Sequence, residues 1–413
     1  MTNTNLSARA RAIRPSSTLA VAQKARTMRA EGVDVLSFAA GEPDFITPEP
    51  IREASIQALR EGLTHYAPTL GTPEARGAIA EKLTRENKIA GLEPEHVAIG
   101  VGGKHCLYMV MQALLDPGDE VLLPVPSWVS YAPQIQLAGG SVTPLPTSGE
   151  TGFKITPDQL RSAITPQSRV FLINSPSNPC GTMYSPDELR ALADVIAEAA
   201  ATIAPRLVIV SDEIYEKIIY DGRTHLSLGS IDAVAERTIT INGLSKAFAM
   251  TGWRVGYSAC PGDWGRELIG AINRLQSQMT SGIPTFIMPA IRVALESCAE
   301  DVQRMSSAFA GRAGLIERRL REIPGLRFPS PEGAFYVFPD ISDFFGKRTK
   351  SGQVIQSAID FADALLTEQA MAVVPGNDFG GCGGNHIRIS FACNEVQINA
   401  GADRLARFIG SLG

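Results

Sequence analysis

Cysteine is sparse and scattered: six in 413 residues, at positions 106, 180, 260, 298, 382 and 393, with no CxxC pair and no histidine at ligand spacing. That distribution argues against a disulfide framework and against a metal site, and it fits reduced thiols in a cytoplasmic protein. A surplus of positive charge is lacking too. Lys and Arg number 38 against 43 Asp and Glu, a formal net charge of −5, so no nucleic-acid or membrane partner is expected. No apolar run reaches the ~20 residues of a spanning helix. The polar segment Met1–Arg14, with Arg9, Arg11 and Arg14, has no apolar stretch of the kind that directs secretion. Internal repeats, low-complexity tracts and long linkers are missing as well.

What is present is core-forming material, 44% hydrophobic residues, in a chain long enough for two domains. Short apolar runs alternate with longer amphipathic stretches, the rhythm of an α/β domain with a mainly parallel sheet. Seven strands are expected at 97–100, 120–123, 141–145, 169–174, 207–211, 238–242 and 255–259. Thr72-Pro73, Thr156-Pro157 and Ser185-Pro186 each set a capping hydroxyl before a proline at the first helical position. A leader helix is expected from Thr18 to Glu31, stopping at Gly32. After Pro289 the pattern changes to one long charged helix through Arg321, strand-like 334–338, 372–374 and 386–391, and a terminal helix from about Glu395. The expected organisation is an arm (1–15), a discontinuous smaller α+β domain (16–46 and 297–413) and a large domain (47–296).

Four segments carry chemistry, each placed directly after an expected strand, where open α/β sheets bind ligands. In Asn242-Gly243-Leu244-Ser245-Lys246, a lysine at such an edge becomes nucleophilic toward an aldehyde if burial or nearby cations lower its pKa. Ser245 and Arg254 suit a phosphate. A solvated lysine is the plainer reading of Lys246 taken alone. Four aliphatic residues, 207–210, deliver Asp212 to a strand end, where a carboxylate can keep a pyridine nitrogen protonated; a helix cap is the plainer reading. Tyr215 follows from the next turn. The turn Asn174–Thr182 holds the Asn178 amide between prolines. In Gly100-Val101-Gly102-Gly103-Lys104-His105, small residues let backbone N–H groups reach a phosphate at a helix start. That turn also resembles a dinucleotide fingerprint, but His105 stands at the third glycine and Asp119 and Glu120 open the next strand instead of ending it.

Taken together, Gly41-Glu42-Pro43-Asp44-Phe45, Tyr66-Ala67-Pro68, Asp116–Glu120, Asn178-Pro179, Ser211–Tyr215, Ser245-Lys246 and Arg388-Ile389-Ser390 resemble, in order and over nearly the whole chain, the class I aminotransferases of fold type I, in the bacterial aspartate and prephenate branch. The resemblance implies pyridoxal 5'-phosphate held as a Schiff base by Lys246, which then moves the proton between substrate and cofactor. It implies Asp212 at the ring nitrogen, Asn178 and Tyr215 at the phenolic oxygen, and Trp128 stacked on the ring. Gly103, Lys104, Ser245 and Arg254 would hold the phosphate, joined by Tyr66 of a second subunit in a homodimer. Arg388 and the Gly41 backbone would take the substrate α-carboxylate, with Lys104 and Arg14 reaching the distal carboxylate of an acidic substrate. Cys180 and His105 depart from the pattern, where Thr and Gln are common. The implied activity is ping-pong exchange between an amino acid and a 2-oxo acid, aspartate with 2-oxoglutarate foremost and prephenate as a further acceptor. Transamination of aromatic or other neutral amino acids, a β-lyase or synthase on the same fold, a cofactor-sensing regulator and, more remotely, a nicotinamide dehydrogenase are the alternatives.

Overall fold

The computed structural model describes residues 5–13 and 17–413; Arg14 lies outside them. Among the described residues twelve strands follow in chain order: β1 Leu36–Ser37, β2 Val97–Val101, β3 Glu120–Val125, β4 Ser141–Pro146, β5 Ser168–Asn174, β6 Val208–Asp212, β7 Thr238–Gly243, β8 Val255–Ala259, β9 Tyr336–Val337, β10 Met371–Ala372, β11 Val374–Pro375 and β12 Ile387–Ser390. The seven expected central strands form one sheet in the order β2-β8-β7-β6-β5-β3-β4. Its neighbours run parallel except β8, which is antiparallel to both β2 and β7. β6 and β8 are buried along their whole length, as strands covered on both faces must be.

The expected caps form. Thr72, Thr156 and Ser185 accept from the backbone N–H of Ala75, Gln159 and Glu188, and each starts a helix with proline at its first position. The leader helix spans Ser17–Ala30, and Gly32 follows with φ +88°. One expectation is corrected. The long helix ending at Arg321 is two helices, Met288–Ser297 and Ala299–Arg321, broken at Cys298 (φ −113°, ψ 24°). The Cys298 side chain is fully buried in the core, while Glu300 and Asp301 restart the next helix with charge that suits its N-terminal dipole. The strand-like stretch 334–338 narrows to β9, paired with β12, which also pairs with β11.

Register brings the chemistry to one edge. Asn174 at the end of β5 pairs with Asp212 at the end of β6, Asp212 with Ile241 of β7, Gly243 with Gly256, and Val101 with Val255. Because β8 runs against its neighbours, its first residues, after Arg254, lie beside the ends of β2 and β7. β1 pairs in parallel with β10, so the segment leading into Gly41 is fixed to the C-terminal third of the chain. No helix among the described residues is long and apolar enough to cross a membrane.

Candidate active site

At that edge opens a cavity of about 250 Å³. Lys246 enters it from the loop after β7, and its Nζ donates to the Gly41 carbonyl at 2.6 Å. Burial draws the amine's pKa down to about 8; Glu42 and Asp212 oppose the shift, while Arg388 and Arg254 add to it. An appreciable share of this amine is neutral near neutral pH, as a nucleophile toward a carbonyl requires.

Asp212 is buried, and that burial pushes its carboxyl up to about 6 against the Tyr131 hydroxyl, which donates to Oδ2 at 2.7 Å. The Ile214 backbone N–H donates to Oδ1 at 3.2 Å. No helix follows, so the expected helix cap does not form: Asp212 closes β6, holds the turn after it through Ile214, and lines the cavity. Asn174 holds the neighbouring turn: its amide donates to the Asp212 carbonyl, and its Oδ1 accepts from the Asn178 N–H, both at 2.9 Å. Asn178 Oδ1 accepts from Arg388 Nη1 at 3.0 Å, and Ala39 O accepts from Nη2 at 2.6 Å. Arg388 is 2% exposed and its Nε–H has no partner. This is no surface salt bridge but a buried fork with donors to spare, chemistry suited to a carboxylate.

The opposite wall is the glycine turn. Gly102 caps the helix Gly103–Leu114 with φ +79°, and a Cβ there would collide with the Arg254 guanidinium. Arg254 itself adopts a left-handed conformation (φ 59°) and donates to Thr251 O at 2.9 Å. Backbone N–H groups at a helix start beside an arginine make an anion cradle. Lys104 Nζ stands over the Trp128 ring, 5.0 Å from its centroid, and its pKa is lowered by burial and by Arg254. Ser245 and Tyr215 also line the cavity.

The structure thus gathers Gly41, Gly103, Lys104, Trp128, Asn178 and Asp212 around one cavity with Tyr215, Ser245, Lys246, Arg254 and Arg388. Tyr66 is not with them. It is 99% exposed, on a separate surface formed with 280–286. Cys180 is buried, and burial raises its thiol well above the ordinary range, as expected of a packing residue. His105 turns back to accept from the Val101 N–H at 3.2 Å.

Sequence reasoning missed Tyr131 and Tyr336. Tyr131 lies three residues after Trp128 and meets it edge-on at 5.3 Å, a spacing that signals a shared face. Tyr336 sits in β9, where nothing distinguishes it from a core aromatic. A buried network under the floor was also missed. Glu213 accepts from Ser211 and Ser227 at 2.8 Å, meets His225 Nε2 at 3.1 Å and accepts from Asn87 at 3.2 Å. Glu216 accepts from Lys82 and, at 2.6 Å, from Asn87. Burial works against charge on His225, yet Glu213 outweighs it and the imidazole pKa is raised. Glu213, Glu216 and His225 offer ligand atoms within 4.8 Å of one another; the carboxylates and His225 Nε2 are engaged with these partners, while His225 Nδ1 has none.

Comparison with known proteins accords with this geometry. The chain is 41% identical over 405 residues to the aspartate aminotransferase of Bacillus sp. (strain YM-2), covering 98% of this chain and 99% of that protein. It is 42% identical over 401 residues to the aspartate/prephenate aminotransferase of Cereibacter sphaeroides, 97% of each. Among solved structures, the aspartate aminotransferase of Rhizobium meliloti superposes with a TM-score of 0.92 at 37% identity over 100% of both chains. That of Thermus thermophilus with maleate gives 0.89 at 40% identity, over 98% of this chain and 100% of that one. The family model for aminotransferase class I and II matches residues 33–405, a span that takes in every residue gathered at the cavity, and the chain belongs to that family.

Proposed function

We propose that the cavity holds pyridoxal 5'-phosphate on Lys246, and that the protein moves an amino group between aspartate and 2-oxoglutarate, with prephenate as a further acceptor. One observation carries the reading: an amine of depressed pKa, a buried carboxylate and a buried guanidinium with an unspent N–H converge on one cavity. The donor set fits the cofactor at each end, with the glycine cradle and Arg254 suited to its phosphate and Asp212 to its ring nitrogen.

When bound, the cofactor supplies an electron sink for the carbanion formed at the substrate α-carbon. Lys246 would move the proton between the substrate α-carbon and the cofactor, a role that its pKa of about 8 suits. Asp212, above its pKa of about 6 at neutral pH, keeps the ring nitrogen protonated. Tyr215 and Asn178 would hydrogen-bond the ring oxygen, and Trp128 would cover the ring face. Ser245, Arg254 and the N–H groups of Gly103 and Lys104 bind phosphate, with Tyr66 supplied by a second copy. Arg388 takes the α-carboxylate beside the Gly41 backbone. Lys104, and Arg14 from the N-terminal segment, would meet the second carboxylate of an acidic substrate; maleate, named with the Thermus structure, is such a dicarboxylate. The division is an arm (1–15), a smaller domain (16–46 and 297–413) and a large domain (47–296), and the β1–β10 pairing supports the joining of 16–46 to 297–413. Bacterial relatives and the free thiols accord with a cytoplasmic setting.

Lys246→Ala tests the assignment. Turnover is abolished with the circular dichroism spectrum unchanged, and the cofactor becomes removable by dialysis. A borohydride-reducible adduct that persists in this variant would show that another lysine carries the bond.

A further inference from the structure

Tyr336 joins the two halves of the cavity. Its side chain, on β9, is 1% exposed. Its hydroxyl lies 2.8 Å from the Tyr215 hydroxyl, and its ring lies under the Arg388 guanidinium, 4.7 Å from centroid to carbon. Gly41 closes the remaining side, where a Cβ would collide with the Tyr336 hydroxyl. Burial raises both phenols, so each keeps its proton at ordinary pH.

Two protonated hydroxyls joined by one hydrogen bond spend one proton between them and leave the other free. If Tyr215 donates, its proton is lost to the cavity. If Tyr336 donates, the free proton is that of Tyr215. Among the described residues the Tyr336 hydroxyl has no other hydrogen-bond partner, so an anionic oxygen placed before Tyr215 decides the direction, and the pair then acts as a relay whose bonds strengthen each other.

We infer that Tyr336 is a positioning residue whose hydroxyl donates to Tyr215, so that Tyr215 presents its proton to the anionic ring oxygen of the bound cofactor, while its ring supports the carboxylate-binding Arg388. The inference rests on the cofactor reading above. Its sign is fixed: a stronger donor at the ring oxygen favours the deprotonated form of the bound chromophore, and loss of the relay raises the pH at which that form appears.

The test follows the visible absorption band of the holoenzyme against pH in wild type, Tyr336→Phe, Tyr215→Phe and the double variant. Tyr336→Phe keeps the ring under Arg388. It is expected to raise the spectral midpoint by roughly half a pH unit, a fraction of the ~1 unit that loss of a whole neutral hydrogen bond produces, while the KM for the amino donor changes less than twofold. In the Tyr215→Phe background the same substitution is expected to do nothing further. Tyr336→Leu, which also removes the ring beneath Arg388, is expected to raise KM as well. No shift in Tyr336→Phe, or an equal shift in both backgrounds, overturns the relay. A wild-type protein that shows no visible band with the cofactor overturns the cofactor reading, and this inference with it.

Discussion

Burial and one phenol set the charge of Asp212 against each other: the interior raises its carboxyl to about 6, and the Tyr131 hydroxyl, 2.7 Å away, favours the anion. In the apoprotein, affinity for a cofactor with a protonated ring nitrogen falls as pH drops through about 6, because the protonated acid no longer pairs with it. Tyr131→Phe removes a bond made to the charged form, so the pKa rises and the loss of affinity begins at higher pH, by about one unit for a bond of ~1.4 kcal/mol. Fluorescence titration of apoprotein with cofactor across this range measures it, and an unmoved midpoint would show that Tyr131 does not tune the acid. Lys246, Asp212, Asn178 and Gly103 were legible in the sequence because each follows an apolar strand in a chain whose sheet edge is readable. Tyr131 and Tyr336 were not, since a buried aromatic on a strand or helix looks the same whether or not its hydroxyl faces a cavity.

Under that edge, the turn after β6 is tied to the helix Pro73–Arg85 by the pair Lys82–Glu216, whose side chains are 3% and 8% exposed. Burial works against charge on Glu216, but Lys82 and His225 dominate and hold its carboxyl down at about 2. A depressed folded-state pKa means that this stabilisation is present above the unfolded carboxylate value of roughly 4.3 and is lost as pH falls toward about 2. Glu216→Gln strands a buried ammonium and is expected to cost about 3–5 kcal/mol in chemical denaturation at neutral pH. Lys82→Met combined with Glu216→Leu is expected to recover part of that loss, since paired apolar replacement strands neither charge of the pair while Asn87 loses its contacts to both. If Glu216→Gln were as stable as wild type, the network would be decoration on the element, not its tie. Elements with a local cause, such as the three proline-started helices, were legible in the sequence. The break at Cys298 was not: its side chain is drawn into the core from a stretch whose helical period runs on unbroken. The lysine and acids of the network read as ordinary solvated charges until the fold brings positions 82, 87, 213, 216 and 225 together.

For the whole molecule, the cavity and the exposed surface pose one question. Tyr66 is 99% exposed and Ile46, just after the Gly41–Phe45 segment, is 79% exposed, so two large apolar side chains stand in water. Tyr66 lies on a surface of its own with 280–286, where Thr285 donates to the His65 carbonyl, so its side chain is displayed by an anchored turn and not by a loose loop. The proposed homodimer explains both: Tyr66 reaches the anion cradle of the other copy, and the apolar groups are covered. Subunit mixing separates this from a self-sufficient monomer. Lys246→Ala chains lack the amine, and Tyr66→Ala chains lack the phosphate contact. A hybrid places the intact lysine of one chain with the intact tyrosine of the other at one site, and both lesions at the second site. With free exchange of equal amounts, half of the dimers are hybrids, so about a quarter of the sites are wild type. Activity in the mixture is therefore expected to approach a quarter of the wild-type value, well above the mean of the two parents assayed apart. Activity equal to that mean after verified exchange, or a monomer fully active at its sedimentation coefficient, would sink the shared-site arrangement, because every group the chemistry needs would then have to come from a single chain.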